Sequence, residues 1–132
     1  MKTEERMELG AKLKHEMNCC QAVVSAFADT VDVDGATLRR IAGGFGSGMG
    51  TTEGTCGALV GAVMVTSLRA PAGGAMALSR SVLPRFKELC GGATICRELK
   101  ASARARSSAR AKTAFGTPSK RPRKHWETSK AQ

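Results

Sequence analysis

The stretch GTCGALVGAVMV, residues 54–65, sets a thiol at the mouth of an apolar run and directly behind a glycine-rich segment. From Cys56 to Leu68 the chain is small and mostly apolar, with Gly57 and Gly61 four residues apart and therefore on one helical face. An apolar run of this length without alternation predicts a tightly packed central helix, and glycines on one face let a neighbouring backbone approach closely. Cys56 then stands in the first turn of that helix.

Outward from it, the periodicity is helical. Met7, Leu13, Met17, Cys20, Val24 and Phe27 recur mostly at three to four residues, the stripe of one or two amphipathic helices. TLRRIAGGF, residues 37–45, reads as a short helix stopped by Gly43 and Gly44, after the turn chemistry of VDVDGA. Met76 to Leu89 predicts a further amphipathic helix through Met76, Leu83 and Phe86, bent or restarted at Pro84. Another helix begins near Ile95 and runs to about Lys100. No alternating run is bounded by turn signals on both sides, so strands are not expected. The fold class is all-α, a small helical bundle with a Gly-rich loop.

Charge divides the chain in two. Residues 1–99 carry 11 Lys/Arg against 10 Asp/Glu, whereas residues 100–132 carry 10 against Glu127 alone. The net charge of +10 therefore belongs to the tail. Residues 1–100 read as the helical, redox-type domain, and residues 101–132 as a basic, low-complexity segment without large aliphatic residues, expected to be disordered. SKRPRKH within it suits weak, sequence-independent contact with nucleic-acid phosphates, with Phe115 and Trp126 as its only stacking side chains. A solvated extension without a partner is the commoner use of such a charge run, and the abrupt change of composition also permits out-of-frame read-through. The amino-terminal stretch lacks an apolar signal region, and the longest apolar run, Ala58 to Val65, is far shorter than the ~20 residues of a membrane span. A cytoplasmic protein away from membranes is expected.

The chemistry lies in Cys19, Cys20, Cys56, Cys90 and Cys96. No C-x-x-C or haem-attachment spacing occurs, and His15 and His125 are the only histidines, so zinc-finger and c-type cytochrome patterns are absent. An odd count without an export signal argues against a disulfide scaffold. Asn18 precedes Cys19, with Gln21 placed as in a capping box; Thr55 precedes Cys56; Thr94 lies two residues before Cys96. Each of these three cysteines is thus expected in a first helical turn, where unpaired amides and the helix dipole favour thiolate and lower the pKa. Cys20 falls on the apolar stripe and Cys90 at a helix end before Gly91 and Gly92, both better suited to packing.

The segment GGFGSGMGTTEGTCG, residues 43–57, has seven glycines in fifteen residues but lacks the G-x-x-x-x-G-K-S/T nucleotide signature. Its expected use is a compact loop close to another group. A metal cluster held by Cys56, with the amides of Gly54 and Gly57 bonding its sulfurs, would be such a group.

NCCQAVVSAFAD, IAGGFGSGMG, GTCGALVGAVMV and FKELCGGATICREL, in this order, resemble the C_GCAxxG_C_C family of redox-active cysteine proteins, small proteins of bacteria and archaea. The resemblance covers roughly residues 10–100, and its C-G-A-x-x-G element is Cys56, Gly57, Ala58 and Gly61. It implies a small helical domain with four cysteines, a redox role and, in a related cytochrome context, an iron-sulfur cluster. The matching positions are Cys19, Cys56 and Cys96. The fourth is missing, so Cys90 or Cys20, or a partner chain, would have to complete a four-thiolate set.

Three functions follow as expectations: an electron-transfer protein holding an iron-sulfur cluster on Cys19, Cys56 and Cys96; a metal-free thiol-disulfide protein with Cys56 as attacking thiolate; or a basic protein acting on nucleic acid through its tail. The first two require a redox partner protein, and self-association is compatible with each. His15 sits among charges as a surface residue, and Glu53 has no proton-transfer role that the sequence supports, so a hydrolase-type site is not expected.

Overall fold

The computed structural model describes the backbone of residues 1–112 and the side chains of residues 1–105. Six α-helices follow in order: α1 (Thr3–Leu13), α2 (Cys19–Ala26), α3 (Gly35–Ala42), α4 (Gly57–Arg69), α5 (Ala75–Cys90) and α6 (Cys96–Lys112). A 3-10 turn at Ala28–Thr30 and a π turn at Gly48–Thr52 complete the backbone. Strand-like pairing among the described residues is confined to one antiparallel bridge between Thr55 and Ile95. The chain is all-α, as its periodicity requires.

α4 is the central helix, packed between α2 and α5, while α2 also carries α1 and α3. Gly57 and Gly61 are what let α2 in. A β-carbon at Gly61 would lie 3.0 Å from Val23 Cβ and 3.1 Å from the Cys20 carbonyl oxygen; one at Gly57 would lie 2.4 Å from Cys19 Sγ. On one side α4 shares a core with Val23, Val82, Phe86 and Leu99. On the other, Val65 joins Cys20, Val24, Phe27, Leu38 and Ala42. Each fully buried Val, Leu or Phe contributes about 1.5–3 kcal/mol, so these two patches supply most of the bundle's cohesion.

The capping signal at α2 is realised in full. Asn18 Oδ1 accepts from the Gln21 amide at 2.9 Å, and Gln21 Oε1 accepts from the Asn18 amide at 3.2 Å. Asn18 Nδ2 also donates to the Gly43 carbonyl at 3.0 Å, tying the end of α3 to the start of α2. α1 is held by Arg6, which donates to the Ala26 carbonyl at 3.0 Å, pairs through both guanidinium nitrogens with Asp29, and stacks 5.2 Å from the Phe27 ring centroid.

Three expectations change. The buried stripe of α5 is Val82, Phe86 and Cys90, spaced four apart, whereas Met76 and Leu83 are exposed. Pro84 does not interrupt α5: it lies on the exposed face, and buried Val82 and Phe86 anchor the helix on either side of the lost backbone bond. α6 runs past the change of composition at Lys100 to Lys112, as its content of Ala, Arg, Lys and Ser permits. SKRPRKH, Phe115 and Trp126 lie outside the described residues.

Candidate functional site

Three cysteines far apart in sequence reach one place. Cys19 opens α2, Cys56 is the N-cap of α4, and Cys96 opens α6. All three line an open cavity of about 270 Å³ together with Gly57. The other two do not reach it. Cys20 is fully buried against the second core patch, its thiol 3.9 Å from Met64 Sδ, and Cys90 is buried in the first patch among Val82, Phe86 and Leu99.

The Thr55–Ile95 bridge explains how two of the helix starts are brought together. The Cys56 amide donates to the Thr94 carbonyl at 2.8 Å, and the Cys96 amide donates to the Gly54 carbonyl at 3.0 Å. This small clamp sets the beginnings of α4 and α6 side by side. It also overturns the capping roles expected of Thr55 and Thr94. Both are consumed by the bridge; Cys56 itself occupies the N-cap, and the Ile95 carbonyl accepts the first bond of α6 from Leu99 at 3.1 Å.

The glycine-rich loop wraps the same spot. Ser47, Gly48, Met49 and Gly50 all adopt left-handed backbone, with φ of 52°, 59°, 59° and 75°. At Gly48 a side chain is excluded twice over, since a β-carbon would stand 2.6 Å from Cys96 Cβ and 2.9 Å from the Gly54 carbonyl oxygen. Left-handed non-glycine residues such as Ser47 and Met49 each cost on the order of 1–3 kcal/mol and persist where surrounding structure dictates them. Ser47 lines the cavity. Gly54 does not: its amide donates to the Gly48 carbonyl at 3.1 Å, so it is committed to the loop rather than turned toward a sulfur.

Burial reverses the expected acidity of Cys56. With 6% exposure, desolvation pushes its thiol up, the amides of Leu59 and Ala58 pull it back toward thiolate, and negative charge on Cys19 or Cys96 raises it again. A helix start therefore tempers the pKa of Cys56 without bringing it below its ordinary value. Cys19 differs in being only partly buried.

The charged surroundings went unread in the sequence. Lys14, beyond the end of α1, and Lys100, on α6, line the cavity, and among the described residues no carboxylate does. Each belongs to a segment distant from Cys56, so no local spacing could have marked it.

A four-thiolate cluster does not fit this donor set. Three cysteines share the cavity, Cys20 and Cys90 are held in core patches, and no cysteine follows Cys96. Among the described residues, no group of three or more His, Cys, Asp or Glu side chains is placed to hold a metal ion. Nor is any described helix long and apolar enough to cross a membrane.

Residues 17–123 match the family model described as "Putative redox-active protein (C_GCAxxG_C_C)", a span that runs beyond the resemblance read from the motifs. No curated protein matches the chain, and no solved structure does.

Proposed function

The chain belongs to the C_GCAxxG_C_C family, described as redox-active, and on that premise we propose that it works by metal-free thiol-disulfide exchange, with Cys19 and Cys56 as the reacting pair. The supporting observation is the convergence of Cys19, Cys56 and Cys96 on one cavity, with Cys19 Sγ packed against the residue that follows Cys56. Cys19 is the accessible member and attacks first, which moves the attacking role from Cys56, where the sequence reading set it. Its thiolate forms a bond to one sulfur of a partner's disulfide, and the other sulfur leaves as a thiolate. Cys56 then attacks Cys19 Sγ, closing the internal disulfide and releasing the second partner thiolate. The two protons given up by the cysteines go to the two leaving thiolates.

The environment suits this order. While Cys19 is ionised its charge raises the pKa of Cys56. Conversion of Cys19 to a neutral mixed disulfide removes that charge and makes Cys56 a better thiolate at the moment it must attack. Cys96, 6% exposed, is the third thiol and borders the pair. A cytoplasmic setting, where thiols are kept reduced, is the compartment this chemistry fits.

The test is a redox titration against a dithiol buffer of the protein and of its Cys19→Ser and Cys56→Ser variants, with iron content measured on anaerobically purified protein. A two-electron transition abolished in both variants, without iron, is the expected result. Stoichiometric iron with visible absorption bands would replace this reading with a cluster whose remaining ligand comes from elsewhere.

A further inference from the structure

We infer that the substrate of the thiol site is a small anionic disulfide, one carrying carboxylates beside its sulfur bridge. The inference rests on the exchange reading above and adds the class of molecule that the site accepts.

Size is the first constraint. Cys56 and Cys96 are each more than nine-tenths buried, and their sulfurs meet the outside at a cavity of about 270 Å³. That is slightly below the ~300–1,000 Å³ of ordinary small-molecule sites. A compact molecule enters such a space; a folded protein surface reaches no further than Cys19 at its edge.

Charge is the second. Three helices, α2, α4 and α6, begin at this cavity, and each helix start carries roughly half a positive charge, offset in part by Glu98 in the first turn of α6. Lys14 and Lys100 add two full positive charges, and among the described residues no carboxylate lines the wall to offset them. An arrangement of this sign raises the local concentration of anions and repels cations. It serves the products as well, because the leaving groups of the exchange are thiolates and depart into a field that stabilises negative charge.

Reduced protein is mixed with three symmetric disulfides of similar length: 3,3′-dithiodipropionate (anionic), 2-hydroxyethyl disulfide (neutral) and cystamine (cationic). Each rate is divided by that of the same disulfide with dithiothreitol, a reference thiol without charged substituents, which removes differences in leaving-group basicity without adding a charge preference of its own. The normalised rates should fall from anion to neutral to cation, with about a tenfold or larger ratio between the extremes at low salt that shrinks as salt is added. In the Lys14→Gln, Lys100→Gln double variant the ratio should drop to within about threefold, while Lys87→Gln, on the exposed side of α5, keeps it. Equal normalised rates, or a cation that reacts fastest, would overturn the inference and leave the exchange reading standing. Failure of all three disulfides to oxidise the protein would overturn both.

Discussion

Cys19 Sγ packs against the backbone of Gly57, so closely that a β-carbon there would lie 2.4 Å from the sulfur and 2.8 Å from the Phe45 carbonyl oxygen. The glycine after Cys56 is therefore the surface on which the Cys19 sulfur rests. The C-G-A-x-x-G element has a physical reading: cysteine at the N-cap, glycine to admit a sulfur, and a second glycine one turn on to admit the α2 backbone.

Gly57→Ala should destabilise the fold by about 1–3 kcal/mol through overpacking, since the Phe45 carbonyl cannot swing aside as a long side chain would. Gly44→Ala makes the control. Nothing lies within 4 Å of its β-carbon position, and the substitution should be neutral or stabilise by up to about 1 kcal/mol. Chemical denaturation of the two variants under reducing conditions measures the contrast.

Asn18→Ala should cost about 0.5–2 kcal/mol, the ordinary worth of an N-cap. It also frees the Gly43 carbonyl and loosens the loop over Cys19. Alkylation of Cys19 should quicken in this variant by more than the loss of global stability accounts for, as followed by mass spectrometry.

The cysteines should differ in reactivity with pH in an order set by burial. Desolvation pushes Cys20 up to about 12 and, to a smaller extent, raises Cys56, so both remain thiols at pH 8. Iodoacetamide in native buffer at that pH should label Cys19 first and leave Cys20 unlabelled until the protein unfolds. Because the folded pKa of Cys20 is raised, the stability it contributes is complete below its ordinary pKa of 9.0 and is lost as pH climbs toward about 12. Cys20→Ala should flatten that part of the alkaline stability profile.

Arg6 and Asp29 give the opposite sign. The hydrogen bond from Arg6 holds the Asp29 carboxyl below its usual range, so the pair's contribution is present above the ordinary carboxylate pKa and fades as pH falls through the lowered value. Asp29 is largely exposed, and Asp29→Ala should cost under about 1 kcal/mol. Arg6→Ala should cost more, about 1–2 kcal/mol, because the Ala26 carbonyl and the Phe27 ring lose their partner as well. Thermal melts of both variants at pH 7 and pH 3 separate the two contributions.

Local signals in the sequence account for the helix starts and the central helix. Asn18 and Gln21 spell out their cap, and Gly57 with Gly61 marks the close face of α4. What the sequence could not disclose depends on distant contacts. Thr55 looks like a cap residue until Ile95 arrives to pair with it, and Cys56 looks like a lowered-pKa thiol until the fold buries it. The stripe of α5 differs from the expected one because Met76 and Leu83 share a spacing with Phe86 that Val82 and Cys90 fulfil better once α4 is present. Lys14 and Lys100 meet at the cavity only because α1 ends and α6 begins there.

The central claim is that Cys19 and Cys56 form one redox pair. Peptide mapping by mass spectrometry after mild oxidation of the reduced protein, with remaining thiols blocked before digestion, tests it most directly. A Cys19–Cys56 crosslinked peptide is expected as the dominant product, with Cys20 and Cys90 recovered as blocked thiols. A dominant intramolecular disulfide that omits Cys19 or Cys56, or full recovery of both as blocked thiols, would contradict it.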